Sequence, residues 1–235
     1  MTPYERVRER LLCCLEESGR ESVKRLPSER ELCASLDVHR ETVRRAIASL
    51  RLEGRIDSRI GSGHYNTRPK LEKELTDLLS FTRWARSMGM EPGSRILRQE
   101  CLEASRSVCG FLQVPLGTRL FHAVRLRMLD GASLLLEYVY LSEEAYPGLS
   151  DCDLSSGSLY AILSERYGAE LYRGHETISI TYLDAWEARH LEVSAGSPAF
   201  FVRSVVTDKR DKPVEYCKTV MRWDRVRLVC RREEP

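Results

Sequence analysis

Two groups of arginines in this 235-residue sequence have the type and spacing to hold anions. Arg40, Arg44 and Arg51 fall on one side of a helical pattern, with Arg45 beside them and Thr42 near its start. Arg125 and Arg127 are two apart in an extended pattern over Thr118–Leu129. Both therefore point to one face of a strand, and Val124, Leu126 and Met128 point the other way, into a core. Adjacent guanidinium groups repel unless an anion neutralises them, and their forked donors suit phosphate or carboxylate. Each group also has a plainer reading. The first can be a solvated helix face, and the second a solvated or Glu-paired strand face.

The elements around the first group favour nucleic acid. Tyr4, Val7, Leu11, Leu12 and Leu15 recur at helical spacing over residues 4–18, and Gly19 ends that helix. Ser28 and Glu31 have the spacing of a capping box and start a second helix carrying Leu32 and Leu36. A third helix is predicted from about His39 to Glu53, with Val43, Ala46, Ile47 and Leu50 as its buried stripe and Gly54 as its stop. Residues 55–58 and 64–66 read as short strands around the hairpin tip Arg59-Ile60-Gly61-Ser62-Gly63. Three helices and a basic hairpin form a winged helix-turn-helix, whose third helix can enter a major groove. Glycines at the wing tip let backbone N–H groups approach phosphate.

Composition narrows the rest. Hydrophobic residues make up 42% of the chain, enough for a core, and charged residues 31%. Residues 1–70 hold 15 Lys and Arg against 11 Asp and Glu, so the basic excess lies at the N-terminus. No apolar run reaches membrane-helix length and no apolar leader opens the chain, so a cytoplasmic protein is expected. None of the 8 cysteines forms a C-x-x-C pair, and the 5 histidines show no metal or nucleophile spacing. No cofactor, metal or catalytic residue is therefore expected, and the chain is read as a non-enzyme.

The segments Leu26-Pro27-Ser28-Glu29-Arg30-Glu31-Leu32, Val38 through Ala46, Leu50 to Ile56 and Gly61-Ser62-Gly63 resemble the GntR family of bacterial transcription regulators. The resemblance implies that Arg30, Arg40, Thr42 and Arg44 contact DNA, with Gly61 at the wing. Arg40 and Arg44 would lie near guanine edges or phosphates, while Arg30 and the wing fix position on the backbone. The family usually has a small hydroxyl or amide residue where His39 stands, and His is a poorer cap. Glu41 adds a negative charge near phosphates.

The expected organisation is a DNA-binding domain over 1–67, a polar linker over 68–78 and a second domain over 79–235. The second domain reads as α+β: a mixed, mainly antiparallel sheet with helices on one side. Strands are expected over about 95–100, 118–129, 133–140, 177–182, 200–207, 214–220 and 226–230. Helices are expected over about 80–88, 103–112, 159–167 and 184–191. Asp130-Gly131 marks a hairpin whose register has two solutions. A three-residue loop sets Arg125 opposite Glu137, whereas a two-residue loop turns Glu137 away from the arginines.

This half resembles the UTRA domain of the HutC subfamily, a chorismate-lyase-like fold. The resemblance rests on Ser80-Phe81-Thr82 with Gly89 and Pro92, Arg125-Leu126-Arg127 with Glu137, Ser158-Leu159-Tyr160, and Pro213 through Tyr216. It implies dimerisation and a small effector, often a phosphorylated sugar or another small anion. Candidate effector residues are Ser80, Phe81, Thr82, Arg125, Arg127, Glu137, Ser158, Tyr160 and Glu215. Ser80 and Ser158 also read as ordinary helix caps, and Glu215 as an exposed strand charge. Sugar-phosphate sensors of the subfamily often carry a Tyr where this chain has Met221, which argues against N-acetylglucosamine 6-phosphate. The expected function is a homodimeric repressor, released from a near-palindromic DNA operator by a small anionic metabolite. The rival readings are a constitutive DNA-binding dimer without a ligand and a lyase-like enzyme fused to a DNA-binding domain.

Overall fold

A computed structural model describes residues 1–17, 24–59, 62–66, 70–75 and 78–230; the Arg59 side chain is not among what it describes. The chain divides into two compact units, Met1–Leu71 and Glu72–Pro235. Gly19, Ile60 and Gly61 lie outside the described residues.

The first unit contains α1 (Pro3–Glu17), α2 (Glu29–Leu36), α3 (Arg40–Leu52) and the antiparallel pair β1 (Ile56–Arg59) and β2 (Gly63–Asn66). Ser28 caps α2 by accepting from the Glu31 N–H, and the Glu31 carboxylate accepts the Ser28 N–H in return. Asp37 ends α2 in the left-handed conformation, with φ 49°. His39 precedes α3 without a side-chain cap bond, as expected of a histidine there. Val7, Leu11, Leu26, Leu32, Val43, Ala46, Ile47, Leu50 and Ile56 form one core. That core consumes the apolar stripes of all three helices, so the arginine stripe of α3 is left facing outward.

Strand β3 (Leu71–Glu74), which lies in the second unit except for its first residue, pairs with β10 (Val226–Val229). The polar linker expected over 68–78 therefore contains a strand. Its charged sequence Leu71-Glu72-Lys73-Glu74 hides a two-residue period that a partner strand makes visible. The main sheet has six antiparallel strands in the order β4 (Pro92–Glu103), β5 (Arg119–Leu129), β6 (Ala132–Ser142), β9 (Pro213–Arg222), β8 (Pro198–Thr207) and β7 (Arg173–Tyr182).

Helices cover both faces of this sheet, which corrects the expectation of one. Phe121, Ala123, Val139 and Leu141 pack against α6 (Leu159–Tyr167). Residues of opposite parity pack elsewhere: Leu126, Leu136 and Val220 meet α7 (Ala185–Leu191), and Leu120 and Tyr216 meet α5 (Arg106–Leu112). Strand β5 is consequently buried without a break from Leu120 to Arg127. No helix of the described residues is long and apolar enough to cross a membrane.

The β5–β6 hairpin resolves the register in a way neither sequence solution contains. Its loop is the two residues Asp130 and Gly131, both at positive φ (48° and 76°), as a type I′ turn requires. Leu129 then faces Ala132 and Met128 faces Ser133, but Arg127 faces Leu135. Leu134 is an extra residue on β6, and this bulge shifts all later pairs by one. Arg125 consequently lies opposite Glu137, and the carboxylate stays on the arginine face.

Candidate functional site

Two sets of side chains merit attention, one in each unit. In the first unit, Arg40 and Arg44 lie one turn apart on α3, with side chains 68% and 53% exposed. Arg30 is exposed on α2 and Thr42 is half-buried on α3. Glu29, the first residue of α2, was not singled out from sequence. Its Oε2 accepts from Arg40 Nε at 2.7 Å and from Arg44 Nε at 3.1 Å. These bonds, the Arg40 one above all, hold its carboxyl below the usual range against an opposing burial effect. Glu29 follows the capping serine in the sequence, but contact with a helix eleven residues away is invisible to local pattern.

In the second unit one cavity gathers all nine candidate effector residues. Its floor is a single face of the sheet, carrying Arg125 and Arg127 from β5, Glu137 from β6, and Glu215, Cys217, Thr219 and Met221 from β9. The start of α4 (Phe81–Ser87) and the start of α6 line it as well. Arg125 and Arg127 are each only 3% exposed at the side chain. Arg125 Nη2 donates to the carbonyls of Leu154 (3.1 Å) and Gly157 (3.3 Å). Arg127 Nη2 donates to Thr82 Oγ1 at 3.1 Å, and its guanidinium carbon sits 4.4 Å from the centre of the Phe81 ring. The Nε atoms of both arginines are buried without a hydrogen-bond partner.

Glu137 Oε2 stands between the two guanidinium groups, 3.7 Å from Arg125 Nη1 and 3.9 Å from Arg127 Nε. One carboxylate thus faces two cations at ion-pair rather than hydrogen-bond distance. Burial lowers the Arg127 pKa to about 10; Glu137 opposes the shift and Arg125 adds to it. Glu215 is buried, and its Oε2 accepts from Tyr160 Oη at 2.8 Å. Burial raises its carboxyl to about 7, opposed by the Tyr160 bond and Arg125 and reinforced by Glu137. The exposed-charge reading of Glu215 is therefore wrong. Its strand is covered on both faces, and Val214 through Cys217 are all buried.

The cap readings of the serines are right as far as they go. Ser80 Oγ accepts from Arg83 N–H at 3.3 Å, and Ser158 Oγ from Ala161 N–H at 3.4 Å. Phe81 and Thr82 both touch Arg127, by ring contact and by hydrogen bond. Lys73, Trp84, Glu176 and Ser204 also line the cavity and were missed. The alternation Glu215, Cys217, Thr219, Met221 was a usable signal for the floor. Lys73 had none, because it lies in the stretch read as linker. Among the described residues, no cluster of three or more His, Cys, Asp or Glu is arranged to hold a metal.

A three-helix unit with an arginine-bearing third helix and a hairpin, joined to a separate α+β unit with a polar cavity, defines a DNA-binding regulator rather than an enzyme. The chain belongs to the GntR family. Residues 3–65 match the bacterial regulatory proteins of the gntR family, and residues 87–227 match the UTRA domain, an effector-binding domain. The HTH-type transcriptional repressor PhnF of Mycolicibacterium smegmatis is 32% identical over 200 residues, 85% of this chain and 81% of that protein. An Escherichia coli (strain K12) protein named "Probable fructoselysine utilization operon transcriptional repressor" is 28% identical over 225 residues, 96% of this chain and 92% of its own length. The crystal structure of PhnF from Mycobacterium smegmatis superposes with a TM-score of 0.69 at 30% identity, covering 97% of this chain and all of that one.

Proposed function

We propose that this chain is a transcriptional repressor that leaves its operator when a small anion occupies the cavity of the second unit. The observation that carries the reading is the pair of buried guanidinium groups, with both Nε atoms unpartnered and a single carboxylate between them. Buried charges are normally paired and hydrogen-bonded, so under-satisfied guanidinium groups on two residues that line a cavity favour an anion there. Phosphate, phosphonate and carboxylate groups have the matching acceptor geometry. Repression is supported by the relatives, which carry the name of transcriptional repressor. In this reading Arg30, Arg40, Thr42 and Arg44 meet DNA, with Gly61 at the wing.

The protein acts as a homodimer on a two-fold operator. Strand β7 offers the joining edge. It is the outer strand of the sheet, exposed along nearly its whole length, with Ile180 62% and Tyr182 73% exposed. A long exposed edge with apolar side chains favours pairing with another chain.

The test combines thermal shift with DNA mobility. Phosphorylated sugars, phosphonates and small carboxylates are screened for stabilisation of the full chain, and hits are added to the protein–DNA complex. The expected result is a compound that raises the melting temperature and releases DNA. Arg125→Ala should bind DNA normally and respond to no such compound. Release of Arg125→Ala at wild-type concentrations would remove this arginine from the site.

A further inference from the structure

We propose that Glu29 is a positioning residue for sequence reading: it grips Arg40 and Arg44 by their Nε atoms and so aims their outer amino groups at the DNA groove. This rests on the proposed role of the two arginines in binding DNA. Arg40 and Arg44 are one helical turn apart and carry like charge, so alone they would splay and sample many rotamers. The Glu29 carboxylate between them removes the repulsion and fixes both stems with charge-assisted bonds of 2.7 and 3.1 Å. Because only Nε is used, the two terminal amino groups of each guanidinium remain, the end-on pair that matches O6 and N7 of guanine. Among the described residues those terminal groups have no protein partner.

Glu29 is itself well anchored. The capping box between Ser28 and Glu31 fixes the backbone on which it stands. The first turn of a helix favours a carboxylate, and its arginine partners keep it ionised. Its side chain is 20% exposed, so an incoming phosphate meets the arginine tips before the carboxylate. Its other oxygen lies 3.9 Å from His64 Nε2 on β2, and Ser58 Oγ holds that imidazole from the far side at 2.8 Å. One carboxylate thus reaches both the third helix and the hairpin.

Simple charge counting makes the opposite forecast, which gives the experiment its power. An acidic group beside a DNA-binding face repels phosphate, so its removal should strengthen binding to any duplex. Duplexes are selected by the wild-type protein from a randomised pool and compared with a scrambled duplex of equal length and composition, by fluorescence anisotropy. The expected result for Glu29→Ala is a roughly ten-fold or greater loss of preference for the selected duplex, with affinity for the scrambled duplex unchanged or increased. Glu29→Gln, which keeps an acceptor oxygen without its charge, should fall between.

Full retention of preference by Glu29→Ala, or an equal gain on both duplexes, overturns the proposal. An equal loss on both, with a lowered melting temperature, overturns it too and makes Glu29 a folding residue. A wild-type protein that selects no sequence, or an Arg40→Ala variant that binds the selected duplex normally, refutes the DNA-reading role instead.

Discussion

Replacing Glu215 by Gln should flatten the pH dependence of stability of the C-terminal unit. Glu215 is 3% exposed, and burial raises its carboxyl to about 7. In the unfolded chain a glutamate titrates near ~4.3. Between those values the folded state holds a proton that the unfolded state has released. Stability from this group is therefore fully present below the unfolded pKa and is lost as pH rises through about 7. At roughly 1.4 kcal/mol per pKa unit, the full loss is on the order of 4 kcal/mol. Glutamine keeps a carbonyl oxygen for the Tyr160 hydroxyl but carries no titrating proton. The assay is urea unfolding of the full chain from about pH 5 to about pH 8, in buffers free of phosphate and carboxylate. Tryptophan fluorescence reports on the right unit, because Trp84, Trp186 and Trp223 all lie within Glu72–Pro235. The advantage of the variant over wild type should grow by about 2–3 kcal/mol between about pH 5 and about pH 8. Parallel profiles for the two proteins would show that ionising Glu215 costs the fold nothing, and would refute the reasoning.

Deleting Leu134 removes the bulge but takes out only the unpaired residue, so Leu135 should stay opposite Arg127 and Glu137 opposite Arg125. Glu137→Ala instead leaves two buried cations without their carboxylate, which should cost about 3–5 kcal/mol, read as a lower urea midpoint; an unchanged midpoint would show that this carboxylate does not offset their burial. Ile180→Asp places a charge on the open edge strand, at a side chain 62% exposed. Sedimentation should show a shift from dimer toward monomer with the melting temperature of the monomer unit little changed, and an unaltered dimer would exclude β7 as the joining edge.

Local chemistry made much of this molecule readable before any fold was known. The Ser28–Glu31 capping box and the stripe Val43, Ala46, Ile47, Leu50 placed α2 and α3 to within a residue or two, since each depends only on near neighbours. The helix expected over 159–167 is the one observed, opened by Ser158 and closed by Gly168 at φ 65°. What stayed hidden depends on partners distant in sequence. Strand β7 begins at Arg173 rather than Thr177, because an edge strand with no buried face shows no alternation. The bulge at Leu134 could not be read, because the three consecutive leucines Leu134 to Leu136, preceded by buried Ser133, look alike in either register. Glu29 and Lys73 are ordinary surface residues in any local window, and only the fold brings them to Arg40 and to the cavity.

The charge layout of the cavity says where binding free energy for an anion would come from. Burial has already shifted Arg127 down to about 10 beside Arg125, so the site bears an unrelieved cost while one carboxylate serves two cations. An anion bound there supplies the missing acceptors and stabilises the unit that holds it. Arg127 is bonded to Thr82 and lies against Phe81, and both stand on α4 with Trp84, whose indole donates to the Glu72 carbonyl at 3.0 Å. That bonded series runs from the arginine pair to the first residue of the second unit, where the chain continues from the first. Linkage then fixes the converse: whatever factor the anion takes from operator affinity, operator DNA must take from the affinity for the anion. A titration of the same anion against free and DNA-bound protein should therefore give dissociation constants whose ratio equals the loss in operator affinity. A compound that releases DNA yet binds both forms equally would be acting on the DNA rather than through any site on the protein.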